Sequence, residues 1–388
     1  MKKKRIVHIC LSCFYVDNMG YQENILPKKH YQQGHIVEII TSQHSFNPDG
    51  STLIRNVGSY LNENGIPVVV LPYQRLLGKL STYIHCVAGL YKELEKFKPD
   101  IIFCHGISFV SIYSVKRYCR SHDVTLYCDC HSDYYNTPTD KGKYLFINGF
   151  FWPKVAQSVV KQCRIAWGVT PARCDYLKKV YKYPESKVKL LVMGGDDDYI
   201  HLNKRNEIKN RICSEYDINL DSFIISTGGK ICKEKRVIEF LKACVPIRQN
   251  ISIIVFGSVD KEVEVEFYQL LEKNKCVKYI GWAKQELIYD IFISSDLVVF
   301  PGTHSVLWEQ AVSCGVPCIF RERDMMKHID VGGNCIFLDD GKVETIHHAL
   351  TTVLDNPHLY KQMKDVAINK GVSYFSYSSI AKRSIEEE

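Results

Sequence analysis

Short apolar runs alternate with longer stretches of helical spacing along the whole chain. Runs at 6–10, 36–41, 68–71, 101–104, 125–129, 166–169 and 189–192 read as strands. Stretches at 23–33, 80–96 and 108–122 repeat apolar side chains at helical spacing. That rhythm predicts βαβ units and a parallel sheet. It restarts after Leu202, with strands at 223–227, 251–256, 277–279, 297–300, 318–320 and 335–338. Helices there fit 235–243, 263–271, 288–294, 307–312 and 344–354. The expected fold is α/β, with two doubly wound Rossmann-like sheets whose strand ends face one cleft. Domains are expected at 1–195 and 196–372, with a polar joint near 194–211. Residues 373–388 then form a last helix packing back towards the first domain.

One segment breaks the rhythm. Residues 144–163 hold Phe146, Phe150, Phe151, Trp152, Val155, Val159 and Val160 with Lys154 and Lys161 interspersed. An amphipathic helix on a membrane surface has this composition. So does a core helix closing the first domain, and that reading is favoured.

Composition narrows the class. At 388 residues, 46% hydrophobic and 24% charged, the chain is globular and long enough for two domains. A net charge of +7 permits an anionic substrate or membrane surface, but without clustering it is no nucleic-acid signature. Lys2-Lys3-Lys4-Arg5 precedes a short apolar run that carries His8 and ends in Asp17-Asn18 without a cleavage pattern. It reads as a buried first strand. No window has the roughly 20 continuous apolar residues of a spanning helix. The 16 cysteines are scattered, and the only CxxC, Cys10 and Cys13, leaves a strand. Reduced, buried cysteines and a cytoplasmic location are expected.

Candidate chemistry sits at strand ends. Phe300-Pro301-Gly302-Thr303-His304-Ser305 leads into a helix that Gly315 and Pro317 stop. Backbone amides at such a helix start attract an anion. Glu309 would face the same crevice, where a carboxylate accepts two hydrogen bonds from a ribose diol. Gly228-Gly229-Lys230 with Lys235 also follows a strand. Its glycines permit close backbone approach, and both ammonium groups could reach one diphosphate. It is not a Walker A loop, and no GxGxxG follows the first strand. Gly20 precedes the first helix, where Asp17 or Asn18 could instead act as a cap. His105 and His131-Ser132-Asp133 follow parallel strands, where an imidazole can meet a sugar hydroxyl or an acceptor. Asp196-Asp197-Asp198 reads as a capped turn rather than a metal site, and no metal cluster is evident elsewhere.

Together these motifs resemble the retaining GT-B glycosyltransferases of family 4 (group 1). The resemblance rests on Gly20-Tyr21-Gln22-Glu23-Asn24, Gly34-His35, Pro99-Asp100, His131, Thr170-Pro171 and Met193-Gly194-Gly195-Asp196. It continues through Gly229-Lys230 with Glu234-Lys235, Gly257, Gly281 and Glu309-Gln310-Ala311 with Cys314-Gly315 and Pro317. The resemblance implies catalytic roles for Lys230 and Lys235 on a leaving diphosphate, and for His131 beside the donor sugar. It implies donor contacts at Gly20, Gly229, Gly257, Gly302, Thr303, His304, Ser305 and Glu309, the last on the ribose. His105 and Asp133 are acceptor-side candidates. The first glutamate of the family's Glu-x7-Glu motif falls at Pro301 and is absent, so Thr303, His304 or nearby amides would take its place. The implied reaction is retaining, metal-independent and cofactor-free transfer from a nucleotide-sugar, UDP-linked rather than GDP-linked. The implied acceptor is a glycan or lipid-linked sugar of surface polysaccharide synthesis, reached at a membrane face. A sugar-nucleotide epimerase and a non-catalytic transferase-like partner are the alternatives.

Overall fold

The computed structural model describes residues 3–46, 51–139, 142–323 and 325–385. The chain divides into two compact units. The first ends at Val192 and is rejoined by the chain from Ile380; the second runs from Met193 to Ser379.

The first unit contains β1 (Arg5–Cys10), β2 (Ile36–Ser42), β3 (His44–Phe46), β4 (Thr52–Ile54), β5 (Gly58–Leu61), β6 (Pro67–Leu71), β7 (Ile101–Cys104), β8 (Thr125–Cys130), β9 (Cys163–Gly168) and β10 (Val188–Leu190). Its main sheet runs β10-β9-β8-β7-β1-β2-β6-β5. Only β5 is antiparallel to its neighbour. The β3–β4 pair stands apart. The central strands are buried without alternation, as β7 shows, because both faces of a parallel sheet are covered. Helix Leu90–Phe97 contributes Leu90, Leu94 and Phe97, and helix Ile112–Ser121 contributes Ile112, Val115 and Tyr118. Burying such side chains is worth roughly 1.5–3 kcal/mol each, more than the weak intrinsic stability of such short helices.

The second unit is wholly parallel: β11 (Phe223–Gly228), β12 (Ile251–Phe256), β13 (Val277–Tyr279), β14 (Leu297–Phe300), β15 (Cys318–Arg321) and β16 (Cys335–Leu338), in the order β13-β12-β11-β14-β15-β16. Strand order reverses between β1 and β7 in one sheet and between β11 and β14 in the other. At such points the loops leaving adjacent strands diverge and open a crevice.

Several expectations are corrected. The stretch at 80–96 is two helices, Lys79–Tyr83 and Leu90–Phe97, separated by a segment in which His85 and Gly89 have positive φ. The joint at 194–211 contains most of a helix, Arg205–Glu215, that buries Ile208, Ile212 and Cys213. Residues 144–163 divide by function in the fold. Trp152, Val155, Ala156 and Val159 enter the core, whereas Tyr144, Leu145, Phe146 and Phe150 are exposed. The last helix, Tyr377–Ile385, ends in the first unit, where Trp167 Nε1 donates to the Ser384 carbonyl at 3.1 Å. All 16 cysteines are free.

Candidate active site

In the second unit the loops after β11 and β14 meet. The chain leaves β11 through Gly229 and Lys230 and makes a short turn, Lys233–Lys235. The Thr303 amide donates to the Glu234 carbonyl at 2.9 Å. Lys235 Nζ donates to the carbonyls of Thr303 at 2.7 Å and His304 at 3.1 Å. Burial lowers the Lys235 pKa. The expected donor-site glycines serve this packing. A Cβ on Gly302 would lie 2.3 Å from the Glu234 carbonyl oxygen, and one on Gly257 would lie 1.9 Å from that of Gly229. Lys230 is exposed and pairs with Asp260 at 3.1 Å, a bond that raises its pKa.

Glu309 does not face an open crevice. Its side chain has no solvent exposure, and His304 Nε2 lies 2.9 Å and 3.1 Å from its two oxygens. His328 Nε2 approaches one of them at 3.6 Å, longer than a hydrogen bond. Burial alone would raise the Glu309 pKa; the two imidazoles more than offset this and hold it at about 2. Ser305 begins the turn, its carbonyl accepting from the Trp308 amide at 3.0 Å. The helix that follows, Leu307–Ser313, has seven residues, so few peptide dipoles align behind the expected anion site. Gly315 ends it with φ +68°, as the glycine stop requires.

In the first unit a cavity of about 320 Å³ opens where β1 and β7 part, lined by Ser12, Cys13, His105, His131, Ser132 and Asn136 among others. Beneath it lies a buried polar chain. Asp129 Oδ2 accepts from His105 Nδ1 at 3.1 Å, and Oδ1 accepts from the Gly106 amide at 2.7 Å. The line of rings continues inward: His105 Nε2 lies 2.9 Å from His8 Nδ1, His8 Nε2 lies 3.0 Å from His30 Nδ1, and His30 Nε2 donates to the Ala381 carbonyl at 3.0 Å. His131 Nε2 stands 3.5 Å from Asp129 Oδ1. Burial opposes charge on both partners, yet attraction wins: Asp129 is shifted down by His131 and His105, and His131 is shifted up by Asp129. Burial lowers His8, and lowers His30 to about 3.

The remaining sequence candidates are occupied locally. Asp133 Oδ1 accepts from the amides of Tyr135 and Asn136, both at 2.9 Å, and its carboxylate pairs with Arg173. Gly20 lies just ahead of helix Gln22–Gln32, whose N-cap is Tyr21 rather than Asp17 or Asn18. Asp17 instead accepts from Tyr60, and Asn18 has φ +61°. Asp196 caps a turn through the Asp198 amide at 3.2 Å.

Residues 208–370 match the family described as Glycosyl transferases group 1, and residues 28–199 match Glycosyltransferase Family 4. The chain belongs to the family 4 (group 1) glycosyltransferases. It is an enzyme of hexosyltransferase type, with the GT-B fold. Among solved structures, a glycosyltransferase from Rickettsia africae is similar with a TM-score of 0.68 at 13% identity, each chain covered in full. Anabaena Alr3699/HepE in complex with UDP gives 0.66 at 14% identity over 98% of both chains. Sucrose-phosphate synthase from Thermosynechococcus elongatus gives 0.65 at 13% identity over 98% of this chain and 97% of its own. At these identities the likeness is one of fold. No curated protein sequence matches.

Sequence reasoning missed Asp129, His8, His30, Asp260 and His328 in this glycosyltransferase. A signal existed for the first two. Asp129 and His8 interrupt apolar strand runs, and a polar side chain inside a buried strand must find a partner. Nothing local marks His30 or His328, because their partners lie far along the chain.

Proposed function

We propose that this glycosyltransferase retains anomeric configuration and takes its sugar from a nucleotide-sugar, UDP-linked rather than GDP-linked. The acceptor is a glycan or lipid-linked sugar of surface polysaccharide synthesis. Lys235 carries the reading. An ammonium has three N–H donors, and two are used on the carbonyls of Thr303 and His304. The third is available to a diphosphate oxygen, at a turn where Lys230 supplies a second cation. As the glycosidic bond breaks, negative charge collects on the diphosphate. A preorganised donor aimed at such charge is worth about 3–4 kcal/mol. These cations do what a metal ion does elsewhere, so no metal cofactor is required, and a chelator is expected to leave turnover unchanged. The fold likeness to HepE, solved with UDP, supports the choice of nucleotide. The cavity beside His105 and His131 receives the sugar hydroxyl or acceptor.

Acceptor approach from a membrane face is supported by two exposed segments of the first unit. Leu76, Leu80 and Tyr83 lie on one, and Leu145, Phe146 and Phe150 on the other. Tyr83, Tyr144 and Trp152 line one cavity where the segments adjoin. Arg75, Lys79 and Lys154 are exposed nearby, and neither 75–92 nor 142–174 contains Asp or Glu. Such a surface suits an anionic bilayer, at the cytoplasmic leaflet. No helix among the described residues is long and apolar enough to cross a membrane.

The deciding experiment incubates the purified chain with UDP- and GDP-sugars and follows nucleotide release and sugar products. Release of UDP with an α-linked product from an α-linked donor is expected. Conversion of the donor alone to another nucleotide-sugar would make the chain an epimerase. Nucleotide binding without turnover of any donor would make it a non-catalytic partner.

A further inference from the structure

Contacts of both side chain and backbone fix His304 beside Glu309. Its Nε2 sits between both carboxylate oxygens. Its ring packs edge-on to Trp308, with centroids 5.2 Å apart, and Trp308 is itself stacked on Phe320 at 4.3 Å. Its backbone carbonyl is held by Lys235, and the preceding residue by Glu234. Glu309 has no exposed surface, whereas the His304 side chain keeps 16% of its own. A carboxylate accepts, so Nε2 carries the proton and Nδ1 of the neutral ring is left as an acceptor. Among the described residues Nδ1 has no hydrogen-bond partner, and it is not a buried unpaired atom. It therefore reaches solvent.

We propose that Glu309 and His304 act as one carboxylate–imidazole unit, in which Glu309 is a positioning residue and His304 Nδ1 accepts a hydrogen bond from a hydroxyl of the nucleotide-sugar. This rests on the second unit being the nucleotide-sugar site. It differs from the ribose role that resemblance gives Glu309: the carboxylate acts through the imidazole and does not touch ligand. It also fills the place left at Pro301, since the group that meets the donor comes from the loop itself. The hydroxyl belongs to the ribose or to the transferred sugar.

Calorimetric titration of the full chain with UDP, GDP and UDP-glucose tests this. His304→Ala and Glu309→Gln are each expected to weaken the same ligand by about tenfold, and the double variant by no more than either alone, because all three lose one shared contact. Glutamine can donate to Nε2, which moves the ring proton to Nδ1 and removes the acceptor. His304→Asn, which places an amide oxygen near the Nδ1 position, is expected to recover most of the loss. A loss already present with UDP assigns the ribose hydroxyl; a loss confined to UDP-glucose assigns the sugar. Melting temperatures of Glu309→Gln and His304→Asn close to that of the parent establish that a loss of binding is not a loss of fold. Weakened binding in Glu309→Gln with unchanged or tighter binding in His304→Ala would overturn the proposal, since Glu309 would then hold the ligand itself. Unchanged affinity in both variants would overturn it as well. Failure of the unmodified chain to bind UDP or GDP is a separate result: it removes the nucleotide-sugar reading, and this unit with it.

Discussion

Lys235 ties together the loops of two neighbouring strands, its ammonium donating to the Thr303 carbonyl at 2.7 Å and the His304 carbonyl at 3.1 Å. The residue therefore positions the β14 loop, and under the proposed function its third donor meets a diphosphate. Lys235→Ala is expected to lower transfer by roughly tenfold or more, with circular dichroism unchanged. Full turnover in a folded variant would remove the diphosphate role.

Gly302 is fixed by sterics. A Cβ there would meet the Glu234 carbonyl oxygen at 2.3 Å and Lys235 Cα at 2.5 Å, and backbone cannot step aside. Gly302→Ala should cost about 1–3 kcal/mol by overpacking, read as a lower urea midpoint. Gly149 is the control. A Cβ there meets nothing nearer than 3.6 Å, so Gly149→Ala should change stability by less than about 1 kcal/mol.

The buried histidines make the fold acid-sensitive. In the unfolded chain His30 gains a proton near 6.5, whereas in the folded chain it waits until about 3. Between those values the unfolded state binds more protons, so stability falls as pH drops through the window. His8 adds to the same slope. His131 acts oppositely: its raised pKa gives stability that is present below 6.5 and lost as pH rises through the folded value. Urea midpoints measured from pH 7 to pH 4 should fall, and His30→Gln should flatten the decline. An unchanged slope would mean that His30 is not buried neutral.

Asp129 serves two imidazoles. Asp129→Asn removes the charge that raises His131, so an NMR titration should find the His131 pKa lower than in the parent. The buried donors left imperfectly paired should cost about 1–3 kcal/mol. A His131 titration that stays put would dissolve the pair.

Membrane contact is open to a direct measurement. The chain should sediment with anionic vesicles at low salt and much less at high salt. Leu76→Ser combined with Phe146→Ser should lower the partition coefficient at least about tenfold, given roughly 1.5–3 kcal/mol per buried apolar side chain. Turnover of a water-soluble acceptor should not change. Equal sedimentation of parent and variant would exclude these segments.

Legibility followed burial. Every strand of the second sheet lies within one residue of its predicted bounds, because a doubly covered strand is a continuous apolar run. The strands β3, β4 and β5 were invisible: none exceeds four residues, and β4 and β5 are mostly exposed, as Thr52–Ile54 shows, and carry no alternation. Helix Arg205–Glu215 was taken for a joint because charge surrounds its three buried side chains. At the site, the lysines and glycines could be found from strand-end position, but their partners could not. Lys235 reaches across 68 residues to Thr303, and His8 across 97 to His105.

The amino-acid order alone determined two parallel sheets, their strand ends and the residue types gathered there, since periodicity and glycine or proline punctuation act over a few residues. Only the tertiary structure decided what those side chains do. It closed Glu309 under His304, turned Asp133 to its own backbone and threaded a line of imidazoles behind His131. Hydrogen bonds and desolvation are short-ranged in space but indifferent to distance along the chain, so pairs of this kind exist only once the sheets have formed.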